Sequence, residues 1–366
     1  MSTATRRSPL TDWTLVVPFV ALVALILSWG RAMPGWAVGL VALCLAGAVL
    51  AAVHHAEVVA HRVGEPFGSL VLAVAVTVIE VALIVTLMAD GGPKTATLAR
   101  DTVFAAVMIT CNGIVGLSLL VAALRNRVAV FNAEGSGGAL ATVATLAVLS
   151  LVLPTFTTSK PGPEFSTGQL AFAAVASLAL YALFVGVQTV RHRDYFLPVE
   201  TGTPSSEEEH AEPPALRAAV VSFGLLLVAL VAVVGDAKAV SPTIESVVAD
   251  AGLPQAFVGV VIALLVLLPE TLAAVRAARR GRVQTSLNLA YGSSIASIGL
   301  TIPAIALATV WLSGPLVLGL GPTHMVLLAL TVVVGALTVV PGRATLLQAG
   351  VHLVILAAYL FLAVSP

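Results

Sequence analysis

Eleven apolar runs, most of them about as long as a bilayer is thick, constrain this chain more than any motif in it. A helix needs roughly 20 apolar residues to cross the hydrocarbon core. With no water there to satisfy backbone polar groups, runs of this length enter lipid as helices. The runs lie near 13–30, 36–60, 65–89, 101–124, 139–156, 168–190, 215–235, 254–276, 283–311, 323–340 and 344–364. The fifth is short, and the stretch 236–253, with Pro242, Glu245 and Asp250, reads as a short interfacial helix. Composition agrees: 59% of the 366 residues are hydrophobic and only 10% charged, where a soluble domain is about a quarter charged. The expected fold is an all-α polytopic membrane protein of about 11 transmembrane helices, with lipid as its main partner.

Several classes drop out at once. Eighteen basic residues balance eighteen acidic ones, so no basic excess offers a surface for nucleic acid. Cys44 and Cys111 both lie inside apolar runs and read as small buried hydrophobes, without zinc-type spacing or a disulfide framework. The first run begins near Trp13, ends near Trp29 and lacks a small-x-small cleavage site, so it reads as a retained span and not a signal peptide. No feature specifies an oligomeric state or a resident cofactor.

Lys and Arg set the orientation, because they accumulate on the cytoplasmic side. The amino terminus and the even-numbered loops hold thirteen: Arg6, Arg7, Arg62, Arg125, Arg127, Arg191, Arg193, Arg217, Arg276, Arg279, Arg280, Arg282 and Arg343. The opposite side holds five: Arg31, Lys94, Arg100, Lys160 and Lys238. The amino terminus is therefore expected inside and the carboxyl terminus outside.

One long polar segment, with Glu207, Glu208, Glu209 and Glu212 clustered, divides the chain. It gives a tail and first helix over 1–35, a first five-helix repeat over 36–190, an acidic cytoplasmic linker over 191–214 and a second five-helix repeat over 215–366. A charge run of this kind is ordinarily just solvated. A repeat of five crossings re-enters the membrane from the opposite face, the inverted topology of many secondary transporters.

Each half carries one acid deep in its second helix: Glu80 in FGSLVLAVAVTVIEVALIV and Glu270 in FVGVVIALLVLLPETLAAV. A carboxylate at that depth is costly and by default functional. At about 1.5 Å per residue both acids fall near mid-depth, where they would supply hard oxygen ligands to a cation or take up protons as it leaves. Thr77 lies one turn before Glu80. The following helices add Thr110, Asn112 and Ser118 in the first half and Asn288, Ser293, Ser294 and Ser297 in the second. Pro269 and Pro303 loosen backbone bonding near them. At the cytoplasmic mouth, Glu57, His61 and Glu65, beside His54 and His55, mark a path by which proton or cation enters, Glu57 and His61 being at i, i+4. Asp236 is a candidate for the outer side, while His324 and His352 read as packing or interfacial residues.

HHAEVVAHRVGEPFGSLVLAVAVTVIE, LPETLAAVRAARRGRVQTSLNLAYGSS, eleven spans and an acidic linker together resemble the calcium/cation:proton antiporters of the ChaA and CAX type, within the cation/calcium exchanger superfamily. The resemblance spans nearly the whole chain. It implies a bacterial inner-membrane antiporter, not an enzyme, that exchanges Ca2+, Na+ or K+ for H+, with Glu80 and Glu270 as the shared acids. The family's Gly-Asn-x-x-Glu-like motif keeps its glutamates here, but Val76-Thr77 and Val266-Leu267 stand near its Gly-Asn positions, which removes amide ligands. The alternative is a cation channel without obligatory proton coupling. An intramembrane aspartyl protease fits poorly, since no span holds a Tyr-Asp or Gly-x-Gly-Asp motif.

Overall fold

The computed structural model describes residues 13–31, 33–64, 67–89, 95–199, 214–254, 256–312 and 314–365. Almost all of them are helical. In chain order the helices are α1 (Trp13–Ser28), α2 (Gly35–Val63), α3 (Phe67–Ala89), α4 (Leu98–Met108), α5 (Val115–Asn126), α6 (Ala133–Ala147), α7 (Leu153–Phe156), α8 (Thr167–Gly186), α9 (Leu216–Asp250), α10 (Ala256–Val266), α11 (Leu268–Arg279), α12 (Val283–Ala308), α13 (Pro322–Val339) and α14 (Leu346–Val364). Short π-helical turns join α4 to α5 (Ile109–Ile114) and α6 to α7 (Val148–Val152). Among the described residues, eight helices are long and apolar enough to cross a membrane, the bent pair α10–α11 makes a ninth, and α1 and α3 add two shorter apolar segments. These fall on the eleven predicted runs.

Two runs have other boundaries than the sequence suggested. The fifth span is not short. It runs over Ala133–Phe156, because Asn132 caps it by accepting from the Gly135 amide at 2.9 Å, so the loop-like Ala133–Gly138 opens the helix instead of preceding it. Nor is there a separate interfacial helix over 236–253. α9 continues unbroken for 35 residues with Pro242 inside it. Proline's fixed φ is itself helical, so only one backbone bond is lost. At 1.5 Å per residue α9 is about 52 Å long, more than a hydrocarbon core of about 30 Å, so its polar end can project beyond lipid.

The chain forms two compact units that do not follow its halves: one takes Met1–Thr86 and Ala211–Val247, the other Leu87–His210 and Val248–Pro366. In the first unit α1 packs on α2, where a Cβ at Gly47 would lie 3.1 Å from Val17, and on α9, where a Cβ at Gly235 would lie 2.4 Å from Leu25. A side chain at 235 would require Leu25 to shift. His55 ties the same three helices: its Nε2 is 2.9 Å from the Thr14 carbonyl on α1 and its Nδ1 3.3 Å from Ser222 Oγ on α9.

The second unit is built around α12, which packs against α4, α5, α6, α8 and α11. Its two ends have distinct connections. At one, Arg125 donates to the Arg279 carbonyl, and β1 (Ala129–Val130) pairs antiparallel with β2 (Arg343–Ala344). At the other, Asp101, Pro254, His324 and Tyr359 line one small cavity. Within this unit, helix ends expected on one side of the membrane lie together. Capping boxes fix where two spans begin, Ser166 with Gln169 for α8 and Thr345 with Gln348 for α14.

Candidate cation and proton site

In the first unit Glu80 and Thr77 share a face of α3, three residues apart. Both are buried, at 4% and 5% exposure, among Val76, Ile79, Leu83 and Ile84. An ionised carboxylate at such a position is costly unless it is compensated.

In the second unit Glu270 is half-buried in the first turn of α11. The span breaks just before it, α10 and α11 meeting at 50°. Pro269 has no N–H to give the Leu265 carbonyl at i−4. The Thr271 amide and hydroxyl both go to the Leu267 carbonyl, at 2.9 and 2.7 Å. The acid thus sits at the positive end of a half-helix, beside backbone oxygens the break has loosened.

The π-helical turn Ile109–Ile114 holds Thr110 and Asn112, both fully buried. Thr110 Oγ1 donates back to the Ala106 carbonyl at 2.8 Å and lies 3.8 Å from Cys111 Sγ. Asn112 is turned to other helices: Nδ2 donates to Thr331 Oγ1 on α13 at 2.9 Å, and Oδ1 lies 3.2 Å from His352 Nδ1 on α14. His352 Nε2 is 3.1 Å from Thr338 Oγ1. An amide oxygen only accepts, so Nδ1 carries a proton and donates to Asn112, and the Thr338 hydroxyl, which can donate or accept, completes the network at Nε2.

α12 packs on both the π turn and α11. Ser293 on it is half-buried. Ser294 is fully buried and hydrogen-bonds the Cys111 thiol of the π turn, while the buried Tyr291 and Thr301 hydroxyls on the same helix have no hydrogen-bond partner among the described residues. The second unit therefore brings together the helix of Glu270, the turn of Thr110 and the helix of Ser293 and Ser294, while the Asn112 amide is held by α13 and α14. Buried hydroxyls without partners call for a water or an ion. Tyr291 and Thr301 were missed from sequence because a lone hydroxyl in a span usually bonds its own helix.

At the mouth, Glu57 is half-buried and His61 exposed on α2. Neither a hydrogen bond nor an ion pair joins them among the described residues. His55 is instead a buried tie, as above, and Glu65 lies outside the described residues. Asp236 is fully buried in α9.

Comparison with known proteins places this geometry. The family described as "Sodium/calcium exchanger protein" matches over residues 33–190 and again over 221–365. The chain belongs to the sodium/calcium exchanger family. The exchanger is 44% identical over 368 residues to a "Putative ionic transporter y4hA" of Sinorhizobium fredii, covering 99% of this chain and 98% of the relative. It is 34% identical over 353 residues to the "Sodium-potassium/proton antiporter ChaA" of Escherichia coli, covering 95% of each. Its fold resembles the crystal structure of the H+/Ca2+ exchanger CAX, with a TM-score of 0.68 at 16% identity over 96% of this chain and 92% of that one. The exchanger is thus a multi-pass membrane antiporter of ions, not an enzyme.

Proposed function

We propose that this antiporter exchanges a metal cation, Ca2+, Na+ or K+, for protons by alternating access, with Glu80 and Glu270 as acids shared between cation and proton. The observation that carries the reading is a carboxylate in each half's second span, Glu80 at 4% exposure on α3 and Glu270 at the break of α10–α11. Relatives agree in chemistry: ChaA is named for sodium, potassium and protons, and CAX for protons and calcium.

Two carboxylates neutralise a divalent ion, or two protons neutralise the carboxylates. Because both cannot be held at once, loading one expels the other, and exchange follows from that competition. Thr77, Thr110, Ser293, Ser294 and loosened carbonyls before Glu270 supply neutral oxygens that replace part of a cation's hydration. Glu57 and His61 lie at the cytoplasmic mouth. The protein resides in the bacterial cytoplasmic membrane with its amino terminus inside, its carboxyl terminus outside and residues 191–214 as a cytoplasmic linker.

The test is transport in sealed proteoliposomes with calcium, sodium and potassium compared side by side while lumen pH is followed. Coupled exchange moves protons in fixed proportion to cation. Cation flux driven by voltage with no proton count would instead mean a channel.

A further inference from the structure

Asp236 belongs neither to the acid pair nor to the mouth. It has 0% exposure within α9, and neither carboxylate oxygen has a hydrogen-bond donor among the described residues. Its neighbours Gly235 and Ala237 are buried too, and Gly235 is where α9 closes on Leu25 of α1. A carboxylate carried into the interior with neither donor nor counter-ion among the described residues is strongly disfavoured as an anion.

The surroundings choose which ion neutralises it. α1 carries no ionisable side chain over Trp13–Ser28. α2 brings the half-buried thiol of Cys44 near Asp236, and α3 has Glu80 as its one ionisable group. On α9 itself Lys238 is exposed, and no cationic side chain pairs with Asp236 among the described residues. The adjoining cleft, ≈ 760 Å³ between α1 and α9, is lined by Leu25, Trp29, Leu230, Val234 and Gly235 among others, all without side-chain oxygen. A metal ion wants several oxygens, and this position offers one carboxyl group. A proton needs only that.

We propose that Asp236 is a proton-binding site of the exchanger: a neutral carboxylic acid while α1, α2 and α9 are packed together, which releases its proton to water when that bundle loosens. In the step the carboxyl O–H bond breaks, water takes the proton, and the carboxylate that remains is hydrated. The site has no counterpart in the first half, because the separation that sets Glu80 on Glu270 sets Ala46 on Asp236. The inference rests on the proton-exchange reading above and adds to it a third titrating acid that is not shared with the cation.

The test combines infrared difference spectroscopy with transport. Wild-type protein carrying isotopically labelled aspartate carboxyls, compared between acid and alkaline buffer, is expected to show a protonated-carboxyl stretch that shifts with the label and disappears in Asp236→Asn. In the same variant, isotope self-exchange of the cation at fixed pH stays near wild type, while proton-coupled exchange falls by about fivefold or more, the scale of one coupled site. Absence of the labelled stretch from wild type overturns the proposal without any variant having to fold. So does a stretch accompanied by unchanged coupled exchange in Asp236→Asn, which would make the acid purely structural. Loss of the paired-acid reading is distinguishable: Glu80→Gln or Glu270→Gln would then retain exchange, and the Asp236 stretch would still be present.

Discussion

The two halves meet the same requirement at different places. In the second, the irregularity is on the acid's own span: Pro269 breaks it and Glu270 opens the new helix, with a 50° bend. In the first, α3 runs on past Glu80 as regular helix, and the irregularity moves to the next span, where Ile109–Ile114 forms a π turn. The matching span of the second half, α12, is unbroken α-helix for 26 residues even through Pro303. Halves matched by the same family model therefore differ in where their backbone is irregular. Irregular backbone can lie on the acid's own span, at a proline, or on the span that follows it in sequence, as a π turn.

The largest expected effect concerns what the halves share. Glu80→Gln and Glu270→Gln keep size and hydrogen bonding but remove the charge, so each is expected to reduce exchange to background while the protein still inserts and purifies as wild type. Near-normal transport by either variant would leave only one half carrying the chemistry, and the comparison would lose its premise.

Pro269→Ala addresses what the halves do not share. It restores an N–H for the Leu265 carbonyl and lets α10 and α11 straighten. Exchange is expected to fall by about ten- to a hundredfold, as displacement of a reacting group by an ångström does, with thermal stability unchanged or raised. A variant as active as wild type would show that the bend only accommodates packing.

These contrasts also show what the sequence could reveal. The spans were legible because lipid forces every apolar run to satisfy its own backbone, and Glu80 and Glu270 stood out because charge is rare there. The π turn was not legible: Ile109–Ile114 differs from an ordinary helix by one displaced hydrogen bond, and Gly113 alone marks it poorly. Asn112 was assigned to the site on residue type, and its amide proves to be shared with Thr331 and His352, the latter 240 residues away. No local pattern announces such a partner, so His352 read as packing. The end of α9 was misjudged because Pro242 and Asp250 are loop-forming in water but tolerable in a helix longer than the membrane is thick.

His352→Leu probes the first half's π turn from a distance. It removes the partner of Asn112 Oδ1 and of Thr338, at about 0.6 kcal/mol per hydrogen bond in a membrane interior and up to about 1.7. The expected outcome is a lower thermal midpoint and exchange reduced about fivefold, the factor that about 1 kcal/mol supplies. His352→Gln, which can still donate to Asn112, recovers most of the loss. Equal impairment by both would mean the ring's volume matters and its hydrogen bonds do not.

The smallest effect is expected where the halves join. Glu207, Glu208, Glu209 and Glu212 lie outside the described residues, and their composition is that of a solvated linker. Four acids exposed to water interact weakly with anything beyond a Debye length of about 8 Å at physiological salt. Deleting 207–212 still leaves ample chain between α8 and α9, so coupled exchange should stay within about twofold of wild type at that ionic strength. A larger change that vanishes in high salt would show that the acidic run acts electrostatically on transport, and the connection between the halves would then have to count as part of the mechanism.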